Sequence, residues 1–395
     1  TMTVRINKQK INLREKLAGV EDKVNAYQSY ENVLNTLPGD TRGLSVGGPL
    51  VGQIKTSDGY TGEGLVEDIG VRWDKVYDSA GLEYIISLAY CGNGIVLAGS
   101  GSGTGEGDIY RSTDYGASWT KVEMGSGLEY IYSLAYCGNG IVIAGSGLSA
   151  GDGDIYRSTD YGVDGSWSKV EMGSDLERIS SLAYCGNGIV IAGSGSGADD
   201  GDIYRSTNYG EDSSWEKVEM GSDLERISSL AYCGNGIVLA GGGNNAGDGD
   251  IYRSTDYGVS WTKVEMGSGL EGIYSLAYCG NGIVLAGSGS GADDGDIYRS
   301  TDYGDSWTKV EMGSGLNYIL SIAYCGNGIV LAGSGSGGGD GDVYRSTDYG
   351  VSWTKVEMGS GLENISSLAY CGNGIVLAGS GINSGDGDVY RSTIW

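Results

Sequence analysis

The chain has 395 residues, of which 75 are glycine and none is histidine or phenylalanine, and its formal net charge is −26. Residues 1–43 hold 7 Lys+Arg against 5 Asp+Glu, so the remainder carries −28. A surface this acidic repels phosphates and anionic lipids, which argues against duplex or membrane-surface binding as the main function. The abundance of glycine, tyrosine, valine and isoleucine favours β-structure with many tight turns.

The N-terminal part of the chain differs from the rest. Asn12 and Glu15 fit a capping box. Apolar residues then recur at alternating spacings of four and three from Leu13 to Leu34, with Glu31 interrupting the series, and Pro38-Gly39 ends it. These features predict an arm over 1–43 with a helix over about 12–37, followed by a Gly-rich linker over 44–70. Such a helix suits docking onto a partner, a short coiled coil in a homo-oligomer, or packing back on the chain.

Neither a membrane span nor a disulfide framework is predicted. No stretch approaches the ~20 apolar residues of a spanning helix, and the first residues do not resemble a signal peptide, so we expect no export by that route. All seven cysteines stand in the sequence Ala-Tyr-Cys-Gly-Asn-Gly, an odd number for disulfide pairing. They are predicted to be small buried strand residues of a protein made in a reducing compartment.

The cysteines also mark an internal repeat, because consecutive cysteines are 46 or 48 residues apart. Each repeat contains four short segments, typified by YIISLAYC, GIVLAGS, GDIYRST and SWTKVEM, which we call strands A, B, C and D. A unit of this length with four strands is typical of a β-propeller blade. The predicted fold class is therefore all-β, a seven-bladed β-propeller of four-stranded blades over residues 71–395.

The two ends of the repeat array complement each other. The last repeat stops after strand C, with Ile394 where the other copies have aspartate or asparagine. The missing strand D matches residues 72–78, RWDKVYD, through Trp73, Lys75 and Val76. Pairing of this N-terminal segment with the last strand C is predicted to close the ring and to leave no open edge.

The segment between strands C and D recurs with little change, as Ser-Thr-Asp-Tyr-Gly-Ala-Ser-Trp at 112–119, and we call it the box. It resembles the Asp-box, or bacterial neuraminidase repeat, family of β-propellers, which implies a C–D hairpin turn. Serine and aspartate oxygens are expected to accept turn N–H groups, glycine to take positive φ, and tryptophan to bury its ring. The copies are at 158–167, 206–215, 254–261, 300–307 and 346–353, and the first two of these are two residues longer. The residues with this predicted structural role are Ser112, Asp114, Gly116, Trp119, Asp160, Trp167, Asn208, Trp215, Asp256, Trp261, Asp302, Trp307, Asp348 and Trp353.

The resemblance to neuraminidases raises the question of catalysis. Those enzymes are known for arginines that grip a carboxylate, a tyrosine nucleophile assisted by a glutamate, and an acidic aspartate. Here strand C repeats one arginine in every blade, and near-identical copies offer no two carboxyl groups in contrasting environments. We therefore expect no enzymatic activity, with a sialidase-like glycosidase as the less favoured alternative. The repeated arginines are Arg111, Arg157, Arg205, Arg253, Arg299, Arg345 and Arg391.

The copies differ mainly in the B–C loops and at two positions of the D–A segment. These loops share one face of a propeller, and loops on a rigid scaffold commonly carry recognition, with tyrosine and arginine as frequent anchors. Drift of unconstrained loops explains the same variation and stays open as the alternative. The predicted binding residues are Tyr84, Tyr130, Arg178, Arg226, Tyr318 and Asn364 at the first position, and Tyr132 and Tyr274 at the second.

Paired aspartates before strand C offer oxygen ligands of the kind that Ca²⁺ takes. Because Ca²⁺ needs six to eight oxygens and no EF-hand spacing is seen, a solvated turn is the favoured interpretation and no cofactor is expected. The pairs are Asp152 with Asp154, Asp248 with Asp250, and Asp386 with Asp388.

A propeller carried on an N-terminal arm fits a display function. We expect a virion component assembled in the cytoplasm, such as a phage fibre or decoration protein, that recognises a surface glycan or a virion or host protein. A cytoplasmic scaffold for protein assembly is the alternative. Neither nucleic acid nor a membrane is expected as a partner.

Overall fold

The computed structural model contains seven antiparallel sheets of four strands, arranged as a ring of blades in the order A, B, C, D. The residues that the structure describes are 3–6, 9–12, 68–78, 84–101, 107–124, 129–148, 153–172, 177–195, 201–220, 226–243, 249–266, 271–289, 295–312, 318–335, 341–356, 358, 364–381 and 387–393.

The strand bounds repeat from blade to blade. The A strands are Tyr84–Gly92, Ile131–Gly138, Ile179–Tyr184, Ile227–Gly234, Ile273–Gly280, Ile319–Gly326 and Ile365–Tyr370. The B strands are Ile95–Gly101, Ile141–Ser146, Val190–Ser194, Ile237–Gly242, Ile283–Ser288, Ile329–Ser334 and Val376–Ser380. The C strands are Ile109–Ser112, Asp154–Ser158, Ile203–Ser206, Asp250–Ser254, Asp296–Ser300, Val343–Ser346 and Asp388–Ser392. The D strands are Thr120–Val122, Trp167–Val170, Trp215–Val218, Thr262–Val264, Thr308–Val310, Thr354–Val356 and, in the seventh blade, Trp73–Asp78.

The hydrophobic core lies between adjacent blades. In the first blade, Val96 and Ala98 of strand B pack against residues of the seventh blade, whereas Leu97 between them packs against the second blade. All three side chains are fully buried. Because strand B is covered on both faces, it is apolar throughout instead of alternating between apolar and polar residues.

Strand A is the innermost strand of each blade. The A strands of neighbouring blades contact one another around the whole ring, and the seventh contacts the first. Strand D forms the outer edge and is short, with exposed residues such as Thr120 and Lys121. Short, charged edge strands discourage pairing with other chains.

Every strand A contains a β-bulge at the second variable position. The register between strands A and B shifts there in each blade, for example between Ile85 and Ser87. A bulge leaves one residue outside the ladder and re-aims its side chain, so this position does not have to fit the core. The seven bulge residues are Ile86, Tyr132, Ser180, Ser228, Tyr274, Leu320 and Ser366.

The predicted seven-bladed ring is confirmed, and so is its closure by an N-terminal strand. Trp73–Asp78 pairs antiparallel with Asp388–Ser392, and Trp73 lies opposite Ser392. The last sheet is therefore built from both ends of the repeat array.

Ahead of the ring, Thr3–Ile6 and Gln9–Asn12 form a two-stranded antiparallel hairpin. The predicted helix over 12–37, apart from Asn12, lies outside the described residues, as does the predicted linker as far as residue 67. Within the described part of the chain, no helix is long and apolar enough to cross a membrane.

Candidate functional site

The box is a turn whose backbone is held by its own side chains. In the first blade, Ser112 Oγ accepts a hydrogen bond from the Gly116 N–H at 2.8 Å, and Asp114 Oδ1 accepts one from the Ser118 N–H at 2.9 Å. The Trp119 indole N–H donates to the Gly116 carbonyl at 3.1 Å, and its ring is buried. Gly116 has a φ of +79°, which glycine adopts without strain.

These hydrogen bonds also fix the ionisation of the box aspartate. Partial burial acts to raise the pKa of Asp256, but hydrogen bonds from Ser260 and Ser254 outweigh it and hold the pKa below its ordinary value. The carboxylate is thus ionised and committed to the turn, which is a structural use of its charge. The same balance lowers the pKa of Asp114, Asp302 and Asp348.

The longer box at 158–167 keeps the turn but changes its hydrogen bonds. Gly162 still donates to Ser158 Oγ at 3.0 Å, while that hydroxyl pairs with Ser166 Oγ at 2.7 Å. The buried indole nitrogen of Trp167 has no hydrogen-bond partner among the described residues. The two extra residues therefore move the turn carbonyl away from the indole.

The box at 206–215 shows the same rearrangement. Gly210 donates to Ser206 Oγ at 3.0 Å, and the side-chain amide of Asn208 donates to Glu211. Asn208 was expected to accept the turn N–H groups in place of aspartate. The turn persists without that bond because the serine alone holds the glycine N–H.

The inserted residues link adjacent blades. Asp164 Oδ1 of the second blade accepts the Glu123 N–H of the first at 3.1 Å, and Asp212 Oδ1 of the third accepts the Glu171 N–H of the second at 2.7 Å. Each bond satisfies a backbone donor just after an outer strand D. The insertions therefore have a structural use.

The seventh blade also has a box, and it is assembled from the two ends of the ring. Gly70 donates to Ser392 Oγ at 3.1 Å, and the Trp73 indole N–H donates to the Gly70 carbonyl at 2.9 Å. Gly70 has the positive φ of the other box glycines, +73°. The serine comes from the C-terminal end of the ring, whereas Asp68, Gly70 and Trp73 supply the rest at the usual spacing.

Arginines of strand C tie each blade to the next. Arg111 Nε donates to the Tyr161 carbonyl, in the box of the second blade, at 2.9 Å. Because each guanidinium is held by a neighbouring turn, the seven arginines are distributed around the ring and do not converge on one ligand carboxylate. The other pairs are Arg157 with Tyr209, Arg205 with Tyr257, Arg253 with Tyr303, Arg299 with Tyr349, Arg345 with Ile69, and Arg391 with Tyr115.

Aspartates at the start of strand C form ion pairs with lysines of strand D, at 2.6 to 2.7 Å. The pairs are Asp108–Lys121, Asp154–Lys169, Asp202–Lys217, Asp250–Lys263, Asp296–Lys309, Asp342–Lys355 and Asp388–Lys75. The second aspartate of each candidate calcium pair is thus engaged, while Asp152, Asp248 and Asp386 lie outside the described residues. The described residues contain no group of three or more cysteine or carboxylate side chains arranged to hold a metal ion.

The cysteines are buried, and their thiols are unreactive because they stay protonated. Burial raises the pKa of six of them to about 12, so these thiols stay protonated at neutral pH. Burial raises the pKa of Cys325 as well. The six are Cys91, Cys137, Cys185, Cys233, Cys279 and Cys371.

The variable positions of strand A come together on the face opposite to the boxes, because strand A begins where strand C begins and the box follows the end of strand C. We call the predicted binding residues at this end the D–A rim. It consists of Tyr84, Tyr130, Tyr132, Arg178, Arg226, Tyr274, Tyr318 and Asn364.

Two arginines occupy the middle of the D–A rim. The Arg178 guanidinium of the third blade lies 4.5 Å from the ring centroid of Tyr132 in the second, and Nη1 donates to the Tyr132 hydroxyl at 3.4 Å. The Arg226 guanidinium of the fourth blade lies 5.6 Å from the ring of Tyr274 in the fifth. The two aromatic partners are bulge residues, so the bulge turns each ring toward a neighbouring arginine.

Serines at the bulges orient the same arginines. Arg178 Nε donates to Ser180 Oγ at 3.2 Å, and Arg226 Nε donates to Ser228 Oγ at 2.8 Å. The four central residues therefore form a Tyr–Arg–Arg–Tyr series across four consecutive blades.

Further aromatic contacts extend this series in both directions. Tyr130 lies 5.5 Å from Tyr132 and 5.6 Å from Tyr84, between ring centroids, and Tyr274 lies 5.2 Å from Tyr318. Tyr130 is only 6% exposed, so it supports its neighbours more than it can contact a ligand. Asn364 holds Gly381 through its backbone carbonyl at 3.3 Å.

Burial and the two rim arginines act on the pKa of the Tyr132 hydroxyl. Burial raises the pKa of its hydroxyl, while the positive charges of Arg178 and Arg226 act in the opposite direction. Arg178 has the larger effect of the two, in keeping with the position of its guanidinium over this ring.

Solved structures similar to this chain share its fold. YCF48 from Cyanidioschyzon merolae has 15% identity and a TM-score of 0.60, with 82% of this chain and 98% of that one covered. A GH74 xyloglucanase from Xanthomonas campestris has 16% identity and a TM-score of 0.59, and the match covers 79% of this chain but about half, 52%, of the xyloglucanase. The RRP9 WD40 repeats match with 13% identity and a TM-score of 0.58, over 83% of this chain and 99% of that one.

No protein-family profile matches the sequence, and no curated protein does. The similar structures include a peptide-bound propeller, YCF48 with a D1 peptide, and a glycosidase. One fold hosts many functions, so the function of this chain has to be argued from its own residues.

Proposed function

We propose that this protein is a non-catalytic binding propeller whose D–A rim recognises a surface glycan or another protein. The observation that carries the proposal is the asymmetry of the rim. The strand C arginines and the strand D lysines make the same contact in all seven blades, whereas the rim places Arg178 and Arg226 in two adjacent blades between Tyr132 and Tyr274. A distinct patch on a repeated scaffold suits a single recognition site.

The residue types of this patch support binding. Tyrosine and arginine dominate hot spots because they offer large contact area and directed hydrogen bonds. The two arginines are already oriented by Ser180 and Ser228, which lowers the entropic cost of ordering them on a ligand.

A binding function is favoured over catalysis by the way this chain uses its repeated charged groups. The strand C arginines are held by backbone carbonyls of the next blade, and Asp256 and its counterparts are held by turn hydrogen bonds. Groups fixed in this way are not positioned to grip a substrate carboxylate or to transfer a proton.

The points at which the chain enters and completes the ring support a display architecture. The chain enters the ring at Asp68 in the seventh box and completes it at Ser392, both on the box face, whereas the rim lies on the other face. Attachment through the N-terminal arm would leave the rim outward. We therefore propose a virion component that presents the rim to a surface, with a cytoplasmic assembly scaffold as the alternative. Co-purification of the protein with virus particles tests the proposal that it is a virion component.

The binding proposal is tested with the full chain on a glycan array and against purified candidate surface proteins. The variants are Arg178→Ala with Arg226→Ala, and Arg72→Ala as a matched control, because Arg72 is an exposed arginine on the box face. We expect the double variant to bind at least tenfold more weakly, about 1.4 kcal/mol, and Arg72→Ala to bind like the parent.

Equal binding by the parent and the double variant would exclude the rim as the recognition site. Release of the sugar from a sialoside by the parent protein, and its loss in rim variants, would replace the binding function with a glycosidase.

A further inference from the structure

Each blade has an exposed asparagine, followed by glycine, at the turn between strands A and B. In the first blade Asn93 is exposed, and Asn93 and Gly94 have positive φ, +52° and +82°, as a two-residue hairpin turn requires. The surrounding sequence Gly-Asn-Gly-Ile is identical in all seven blades, so differences in reactivity between these turns have to come from the fold. The corresponding asparagines are Asn139, Asn187, Asn235, Asn281, Asn327 and Asn373.

A tyrosine of the box restrains this turn in six blades. In the first blade, Tyr115 donates its backbone N–H to the Gly94 carbonyl at 2.8 Å, and its ring stacks on Tyr90 with the centroids 6.1 Å apart. The ring also lies against the turn, since a Cβ added to Gly94 would be 3.0 Å from a ring carbon. The same hydrogen bond and ring contact are made by Tyr161, Tyr209, Tyr257, Tyr303 and Tyr349.

The seventh box has Ile69 at the position of this tyrosine. The box tyrosines have φ between +49° and +60°, whereas φ of Ile69 is not positive, because a β-branched side chain is strongly disfavoured there. Among the described residues, no hydrogen bond joins the Ile69 N–H to the Gly374 carbonyl. In the same part of the chain, no aromatic ring pairs with Tyr370, the counterpart of Tyr90. The turn at Asn373 therefore lacks the restraint that the box supplies elsewhere.

We infer that Asn373 is a modification site, at which the folded protein deamidates faster than at the other six turns. The Gly374 nitrogen loses its proton to hydroxide and attacks Cγ of Asn373, so that an N–Cγ bond forms and closes a cyclic imide. The Cγ–Nδ2 bond breaks, and the leaving nitrogen takes a proton from water and departs as ammonia. Water then opens the imide at either carbonyl and leaves aspartate or isoaspartate. In total, one water is consumed and one ammonium ion is released.

The reaction requires the turn to open, because the glycine nitrogen has to rotate toward the asparagine side chain. In six blades this motion breaks the hydrogen bond between box and turn, and in the seventh it does not. A fivefold difference in rate corresponds to about 1 kcal/mol, at about 1.4 kcal/mol per tenfold, which is the net contribution of about one hydrogen bond. The attacking N–H donates to a strand A tyrosine in the third and the seventh blade alike, at 3.5 and 3.4 Å, so that bond does not distinguish them.

The product changes the blade that closes the ring. Each event replaces a neutral amide by a carboxylate, on a protein whose net charge is already −26. Isoaspartate also adds a backbone methylene to a two-residue turn, whose length fixes the register of strands A and B. Modification of Asn373 is thus expected to loosen the sheet in which both ends of the repeat array meet.

Peptide mass spectrometry of the full chain tests the inference. The folded protein is incubated in mildly alkaline buffer, sampled over time and digested with trypsin, which leaves each of the seven turns in a separate peptide. The mass increase from amide to acid, located by fragmentation, gives a rate for every asparagine. We expect Asn373 to react at least fivefold faster than each of the other six, and all seven to react at equal rates in a chain unfolded by urea.

Exchange of the residue at the tyrosine position of the box provides matched variants. Ile69→Tyr supplies the missing tyrosine and is expected to slow Asn373 to the rate of the other turns. Tyr115→Ile reproduces the seventh box in the first blade and is expected to raise the rate at Asn93 to that at Asn373. Tyr115→Phe keeps the ring and the backbone hydrogen bond, and is expected to leave the rate at Asn93 unchanged.

Melting temperatures establish that each variant is folded during the incubation. If Tyr115→Ile does not fold, Ile69→Tyr decides, and an unchanged rate at Asn373 in that variant would overturn the assignment to the box. The ranking in the parent protein needs no variant. Equal rates at all seven turns of the folded parent, or a faster reaction at another turn, would overturn the inference.

Discussion

The backbone N–H of Gly70 donates a hydrogen bond to the side-chain hydroxyl of Ser392, 322 residues further along the chain. The same bond joins Gly116 to Ser112 within four residues in the first blade. The closing blade thus uses the same turn as the other blades, with its two halves supplied by opposite ends of the ring.

Removal of the closing strand should weaken the whole ring. Deletion of residues 1–78 is expected to lower the free energy of unfolding by several kcal/mol, because the last strand C loses its partner and the seventh box loses its glycine and tryptophan. Deletion of residues 1–67 is the reference, since it retains Asp68 and Trp73–Asp78. Urea denaturation of both proteins measures the difference, and equal midpoints would contradict closure as a source of stability.

The box aspartates should differ in importance from blade to blade. Asp256→Ala is expected to cost about 1–2 kcal/mol, because the carboxylate accepts the Ser260 and Val259 N–H groups at 2.9 and 3.1 Å. Asp160→Ala should change the free energy of unfolding by no more than about 0.5 kcal/mol, since the side-chain carboxylate of Asp160 accepts no hydrogen bond from the described residues. Chemical denaturation of both variants provides the comparison, and equal losses would show that box sequence, not hydrogen bonding, sets the cost.

Stability should fall in acid through the same carboxylates. The folded-state pKa of Asp114, Asp256, Asp302 and Asp348 is lower than that of an unfolded aspartate, which is about 3.9. Their contribution is therefore complete above about pH 4 and is lost as the pH falls through the folded values. Melting temperatures between pH 7 and pH 2 should decline less steeply for Asp256→Ala than for the parent. A parallel decline in both proteins would argue against this linkage.

The indole hydrogen bond should make one tryptophan more sensitive than another. Trp261 donates to the Gly258 carbonyl at 3.1 Å, whereas the Trp167 indole nitrogen is buried without a partner among the described residues. Trp261→Phe should therefore cost about 0.5–1.5 kcal/mol more than Trp167→Phe. Because both changes remove similar ring area, the difference in unfolding free energy isolates the N–H group. A greater cost at Trp167 would contradict the geometry.

The arginine between blades should contribute more than the lysine on the outer edge. Arg253→Met removes a charged donor from the Tyr303 carbonyl, 3.0 Å away, and should cost about 1.5–3 kcal/mol. Lys263→Met, in the same blade, breaks an ion pair with Asp250 in which the lysine side chain is 50% exposed. Solvent screening limits that loss to about 1 kcal/mol or less. Denaturation midpoints rank the two variants, and the reverse order would exclude the arginine as the stronger contact between blades.

The sequence was sufficient to predict the ring because the same four-strand unit occurs in it seven times. Strand count, blade count and the closing segment all follow from periodicity and from the unmatched strand C at the end. The split seventh box was not predicted, because its serine is separated from Asp68, Gly70 and Trp73 by almost the whole chain. The spacing Asp-x-Gly-x-x-Trp immediately before the closing strand was the available signal.

The repeat was sufficient to predict which residues lie together at the D–A rim, but not how their side chains contact one another. Equal placement in each repeat shows that Tyr132 and Arg178 belong to one face. The contact between them depends on a bulge, and a bulge is a property of strand register that one repeat does not display in its residue types. The acceptors of the strand C arginines could not be predicted either. They are backbone carbonyls of another blade, and every residue type has a backbone carbonyl.

Closure of the ring also sets an order of events in time. At translation rates of about 5–20 residues per second, roughly 16–64 s separate the synthesis of Gly70 from that of Ser392. Throughout that interval the strand Trp73–Asp78 exists before its partner does. Its exposed Asp74 and Lys75 are the kind of charged residues that keep an unpaired strand from joining other chains. The last step of folding is thus the capture of one of the first segments made, and the nascent protein must keep that segment available until the seventh blade emerges.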